Sequence, residues 1–288
     1  MKSKFIQLVL SSRPVSWVNT MYPFAATYIL LGHPSNWVLA IGTLYFLIPY
    51  NLLMYGINDV FDYESDLRNP RKVGMEGIIL KPTLHKLTVV SAVLLNLPFV
   101  AALMFLTNST AAWVLLLIVF FVVAYSAPLL RFKERPFLDS ATSSMHFVGP
   151  MLFAIAAAGS GWQQAWPFVL AFFCWGMASH AFGAVQDVVA DKSAGLGSVA
   201  TVIGAKQTVR FAMAMYALCV AVVLLQATVA TTIVGLVLLS YIVNIWPYLN
   251  VAESQAQTAN KAWRRFIYLN YACGAVITIT LIVAEGLL

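Results

Sequence analysis

Nine apolar stretches recur along this chain, each about long enough for a helix to cross a hydrocarbon layer of roughly 30 Å. They lie near residues 16–34, 38–57, 87–106, 111–129, 141–159, 164–185, 208–228, 230–250 and 266–286. Within lipid every backbone N–H and C=O needs a partner inside its own segment, so such stretches fold as helices. The expected fold is therefore all-α, a polytopic membrane bundle of about nine transmembrane helices. With 61% hydrophobic and only 10% charged residues, a water-soluble core is excluded. Nothing is left over for a second unit, and residues 1–288 read as a single transmembrane domain. The first stretch differs from a signal peptide, because Arg13, Pro14, Val15, Ser16 and Trp17 lead into a full-length span carrying Asn19 and Pro23. The N-terminus is expected to stay attached. Cys174, Cys219 and Cys273 are isolated within spans and read as small buried hydrophobes rather than metal ligands.

Charge gives the orientation. The 17 Lys and Arg gather in the N-terminal tail and in or beside the loops after the second, fourth, sixth and eighth stretches. The loops at 32–37, 107–110 and 160–163, the short seventh-to-eighth connection and the C-terminal end carry none. The positive-inside rule then puts the N-terminus and the basic loops in the cytoplasm of a plasma-membrane protein, and an odd number of spans puts the C-terminus outside. The net charge of +6 belongs to these membrane-flanking loops, which meet anionic lipid headgroups, so nucleic acid is not an expected partner.

More than half of the 11 acidic residues occupy two short segments. Asp59, Asp62, Glu64 and Asp66 end the second stretch, and Asp187 and Asp191 end the sixth. In a helix Asn58, Asp62 and Asp66 share one face, and Asp187 and Asp191 repeat the same four-residue spacing. Clustered carboxylates repel and call for a counter-charge. Hard oxygens without His or Cys nearby suit magnesium, which keeps water ligands and binds substrate phosphates. Arg68, Arg71 and Lys72 follow the first segment and Lys192 the second. Acids that merely cap helix ends are the plainer reading of one such segment. It weakens when Asn58-Asp59-Val60 and Gln186-Asp187-Val188 recur four helices apart, which hints at an internal duplication.

The loop after the fourth stretch begins at Tyr125 and carries Arg131 and Lys133, a possible phosphate clamp as well as a topology signal. His146 and His180 lie inside spans, where ionisable groups either serve function or hydrogen-bond within the bundle. Asn19 and Asn51 could line a cavity or bond neighbouring helices.

Asn58-Asp59-Val60-Phe61-Asp62-Tyr63-Glu64-Ser65-Asp66 and Asp187-Val188-Val189-Ala190-Asp191 resemble the N-D-x-x-D-x-x-x-D and D-x-x-x-D motifs of the UbiA superfamily of intramembrane prenyltransferases. Within it the chain looks most like the lycopene elongases of C50 carotenoid biosynthesis, over nearly its whole length, including Arg131-Phe132-Lys133-Glu134-Arg135-Pro136-Phe137. The resemblance implies catalytic roles for Asn58, Asp59, Asp62, Asp66, Asp187 and Asp191, all but Asp59 as magnesium ligands. It implies diphosphate binding by Arg68, Arg71, Lys72, Tyr125, Arg131, Lys133 and Lys192, and an acceptor cavity that Asn19, Asn51, His146 and His180 could line. The implied reaction transfers a dimethylallyl group from its diphosphate to the ends of lycopene, a long polyene; a quinone precursor or another lipid is the alternative acceptor. One departure stands out: many relatives carry Y-x-x-x-K, and here Leu129 takes the lysine position. A transporter of divalent cations or lipid phosphates is the competing class, but transporters place binding groups at broken helices near the midplane, whereas these acids gather at helix ends.

Overall fold

In the computed structural model, which describes residues 4–32, 36–67 and 78–286, every regular element is helical. Eight helices among the described residues are long and apolar enough to cross a membrane. The first expected span appears as the 13-residue helix α2 (Val18–Leu30), about 20 Å long, preceded by α1 (Lys4–Ser11). The chain divides into two compact units, Met1–Phe132 with Met145–Gln163, and Lys133–Ser144 with Gln164–Leu288.

The first unit contains α1, α2, α3 (Trp37–Phe61), the short α4 (Tyr63–Asp66), α5 (Pro82–Leu106), α6 (Ser109–Ser126) and most of α7 (Leu138–Ala158). Its centre is aromatic: Phe24 lies 5.2 Å from Phe46 and 5.8 Å from Phe153, ring centre to ring centre. Gly42 permits the close approach of α2 to α3, since a Cβ there would run into the Phe24 ring. Outward faces carry Phe105, Trp113 and Leu94, the surface expected against lipid tails.

Helix α3 is broken in the middle. Pro49 has no N–H to give the preceding turn, Ile48 departs to φ −118, and a π-helical stretch, Leu52–Gly56, follows. Carbonyls beside the break take side-chain donors from three helices. Asn51 Nδ2 donates to Phe46 O and Leu47 O at 2.8 and 3.1 Å, Thr20 Oγ1 donates to Phe46 O at 2.7 Å, and Asn96 Nδ2 donates to Pro49 O at 2.7 Å. This is how a membrane helix keeps a proline kink without exposing backbone to lipid. Replacing Asn51 by leucine should therefore cost about 1–3 kcal/mol, measured by reversible unfolding in SDS, because Leu47 O loses this donor.

The second unit comprises the first turns of α7, α8 (Trp162–Val185), α9 (Val188–Ala194), α10 (Val199–Leu224), α11 (Val229–Ile245) and α12 (Asn260–Ala284). Trp175, Tyr216, Tyr241 and Phe266 cluster at its centre, Trp175 stacked on Phe266, Tyr216 on Tyr241, and Trp175 edge-on to Tyr241. The span expected at 208–228 starts nine residues earlier, at Val199. Ser198 and Thr201 form a capping box there, and Gly204 at φ 77 bends the chain before Lys206 and Arg210. Lys206, just ahead of the expected span, made the first turns read as loop.

Candidate active site

The first acidic segment closes α3. After Phe61 the helix loosens at Asp62 (φ −99) and resumes as α4, yet Asp62 N still donates to Asn58 O and Asp66 N to Asp62 O, at 2.9 and 2.8 Å. The four-residue spacing read from the sequence thus survives a break in regular structure. Asn58 Nδ2 donates to Asp62 Oδ2 at 2.8 Å and to Ser126 Oγ, at the end of α6, at 3.1 Å. Beyond α6 the chain turns back at once, with Leu130 N and Arg131 N both donating to Ala127 O. Arg131, in a left-handed conformation (φ 41), thereby reaches Asp62, its Nη2 3.9 Å from Oδ1. Tyr125 sets its ring edge against His146, 5.0 Å away, and the His146 carbonyl accepts from Tyr50 OH at 3.0 Å. Asp66 is buried. Arg68, Arg71 and Lys72 lie outside the described residues.

Asp59, the remaining acid of this turn, points elsewhere. Its carboxylate accepts from Arg13 Nη2 at 3.0 Å and from Ser11 Oγ at 3.1 Å, and it is fully buried. Burial alone would lower the Arg13 pKa, but the neighbouring Asp59 and Tyr55 more than offset it and hold the guanidinium charged. Arg13 was not among the expected site residues. Its signal was present, since it is the only cation between Lys4 and Arg68 and sits where the chain enters the membrane.

In the second unit α8 ends at Val185, and Asp187 precedes α9, with Asp191 N donating to Asp187 O at 2.8 Å. Both acids are half-buried. Gly195, at φ 69, closes α9. Gln186, the counterpart of Asn58 in the repeat, is a structural tie: Asn260 Nδ2 donates to its Oε1 at 2.7 Å. Lys192 Nζ is held by both carboxylate oxygens of Glu253 at 2.7 and 2.9 Å, an exposed pair that contributes at most about 1 kcal/mol. Lys133 sits half-buried in a single turn, Phe132–Glu134. His180 Nδ1 lies 3.1 Å from Ser140 Oγ, and Asp139 accepts from Ser140 N and Val199 N at 2.7 and 2.8 Å. Asn19 is half-buried on α2, and Asn51 belongs to the kink of α3.

The donors of the first segment, an amide and two carboxylates on successive turns, are hard oxygens with no sulfur or imidazole among them. They suit magnesium. Among the described residues no three His, Cys, Asp or Glu side chains close into a cage. Magnesium tolerates this, because it retains waters and takes oxygens from a bound phosphate. Leu129 is 94% exposed, so a lysine there would stand in solvent and not in this cluster. Leu129→Lys should change turnover by less than about twofold, a shift no larger than exposed charges usually produce.

Residues 20–273 match the UbiA prenyltransferase family. The chain is 46% identical to a lycopene elongase/hydratase of Corynebacterium glutamicum over 98% of both proteins, and 33% identical to one of Halobacterium salinarum over 96% of both. In fold it resembles a UbiA homolog from Archaeoglobus fulgidus bound to DMAPP and Mg2+, with a TM-score of 0.67 at 18% identity over 95% of this chain and 99% of that one. A UbiA homolog from Aeropyrum pernix gives 0.66 over 99% and 100%. The spans, the two aspartate motifs and the family match agree, and the chain belongs to the UbiA family of membrane prenyltransferases.

Proposed function

We propose that the protein transfers a dimethylallyl group from its diphosphate to the ends of lycopene, giving C45 and C50 carotenoids, with magnesium as cofactor. The observation that carries this reading is the meeting of Asn58, Asp62, Ser126 and Arg131 at the end of α3, where hard oxygens and a guanidinium share one small volume. The acceptor rests on the likeness to lycopene elongases along the whole chain.

In this proposal Asn58, Asp62, Asp66, Asp187 and Asp191 would be the oxygen donors for magnesium. The metal supplies charge that stabilises the departing diphosphate. Arg131, Lys133 and Lys192, with Arg68, Arg71, Lys72 and the Tyr125 hydroxyl, hold the remaining phosphate oxygens. The carbon–oxygen bond breaks, its electron pair leaves with the diphosphate, and the terminal double bond of the polyene attacks the allylic cation. The resulting tertiary cation loses a proton or takes up water. Asn19, Asn51, His146 and His180 fall to the acceptor side, and apolar walls keep bulk water from the allylic cation. Residues 1–288 act as one domain in the plasma membrane, with the basic loops and N-terminus cytoplasmic and the C-terminus outside.

The test is prenyl transfer by purified protein in liposomes supplied with lycopene, dimethylallyl diphosphate and magnesium, with and without chelator. Chelator-sensitive C45 and C50 products are expected. Folded protein that makes none, yet prenylates a quinone precursor, would overturn the acceptor and keep the reaction class. Failure with every acceptor would overturn both.

A further inference from the structure

Asp59 lies inside the acidic motif but faces away from it. It follows Asn58 by one residue, so on a helix it is turned by about 100° from the face that Asn58 and Asp62 share. Both of its oxygens are held by the N-terminal segment, Oδ1 by Arg13 Nη2 and Oδ2 by Ser11 Oγ. The same guanidinium lies over the Tyr55 ring, 4.4 Å from its centroid. Tyr55 belongs to the π-helical stretch Leu52–Gly56, and Asp59 to the α-helical turn that follows it. Arg13 therefore grips two residues four apart, one on each side of the π-to-α junction.

That junction decides where the motif points. A π turn holds one residue more than an α turn, and its relaxation would rotate everything beyond it by about 100°. Asn58 and Asp62 would then turn away from Ser126 and Arg131. Arg13 adopts φ 50 and ψ 74, a conformation costly for a residue with a side chain, and its contacts to Asp59 and Tyr55 hold it there. We infer that Arg13 and Asp59 form a clamp that locks the π register of α3. Asp59 is thus a positioning residue for the diphosphate–metal site and not one of its ligands. The inference rests on the reading of Asn58, Asp62 and Asp66 as the oxygen donors.

The experiment uses full-length protein in detergent, with Mn2+ as the probe of the hard-cation site, titrated by EPR. KM and kcat for dimethylallyl diphosphate and the melting temperature are followed in parallel. Arg13→Gln and Asp59→Asn should each weaken Mn2+ binding by about threefold to tenfold, and the double variant should do no worse than either. Arg13→Lys, which keeps the charge, should recover part of the loss. Asp59 is a ligand, and the clamp is wrong, if Asp59→Asn matches Asp62→Asn in Mn2+ affinity while Arg13→Gln binds as the unmodified protein does. Lowered melting temperatures with unchanged Mn2+ affinity would equally overturn the inference, leaving a purely structural ion pair. Should the two substitutions prevent folding, Ser11→Ala and Arg13→Lys take their place, and unchanged Mn2+ affinity in both counts against the clamp. If the unmodified protein binds no Mn2+ and transfers no prenyl group, the reading of the site falls, and this inference with it.

Discussion

Asp62→Ala should lower prenyl transfer by about a hundredfold to a thousandfold and leave the protein folded; removing one preorganised electrostatic contact to a transition state costs about that much. Asp62 stands at the centre of the first cluster, with Asn58 Nδ2 2.8 Å away and the Arg131 guanidinium 3.9 Å away. Alanine removes the charge that balances Arg131 and one of the hard oxygens proposed for magnesium. Asp187→Ala should behave alike, because Asp187 and Asp191 repeat the four-residue spacing of Asp62 and Asp66. The check is single-turnover kinetics across a magnesium titration, with melting temperature as the control for folding. Unchanged rate and unchanged magnesium dependence in correctly inserted protein would refute the metal assignment.

Gly176→Val should cost about 3 kcal/mol or more and leave little monodisperse protein. A Cβ at Gly176 would lie 3.0 Å from the Ser144 Cα and inside the space of the Ser144 hydroxyl. No side-chain rotation relieves a contact with backbone, so α7 and α8 must part, and Ser144 Oγ would lose its 2.8 Å bond to Phe173 O. The effect reaches the site, because α8 carries the chain to Asp187 and sets where that carboxylate begins. Gly274→Val on α12 is the control, with nothing within 4 Å of the added carbon. Unfolding in SDS and gel filtration would separate the two. Equal stability of both variants would mean that α7 and α8 tolerate a wider separation than their packing indicates.

The membrane bundle was legible in the sequence because hydropathy is a local property. Lipid demands that each span satisfy its own backbone, so the length and apolarity of a stretch suffice to identify it. The spacing of Asn58, Asp62 and Asp66 was legible for the same reason, since a helical repeat is a relation between near neighbours. Even there the resolution was limited. The start of α10 at Val199 was hidden because Lys206 interrupts the apolar pattern, although Ser198 and Thr201 signalled a cap.

Which partner each charge takes was decided only by tertiary structure. Nothing in the order of residues says that Arg131 meets Asp62, that Asp59 turns to Arg13 across 46 positions, or that Lys192 is taken by Glu253 across 61. The kink of α3 is of the same kind: Pro49 announces a break, but the carbonyls beside it take donors from Thr20 and Asn96 on other helices. Charge, apolarity and helical period are written residue by residue. The distances that turn one aspartate toward a guanidinium of the motif cluster, and its neighbour toward a buried clamp, arise only when separate helices pack.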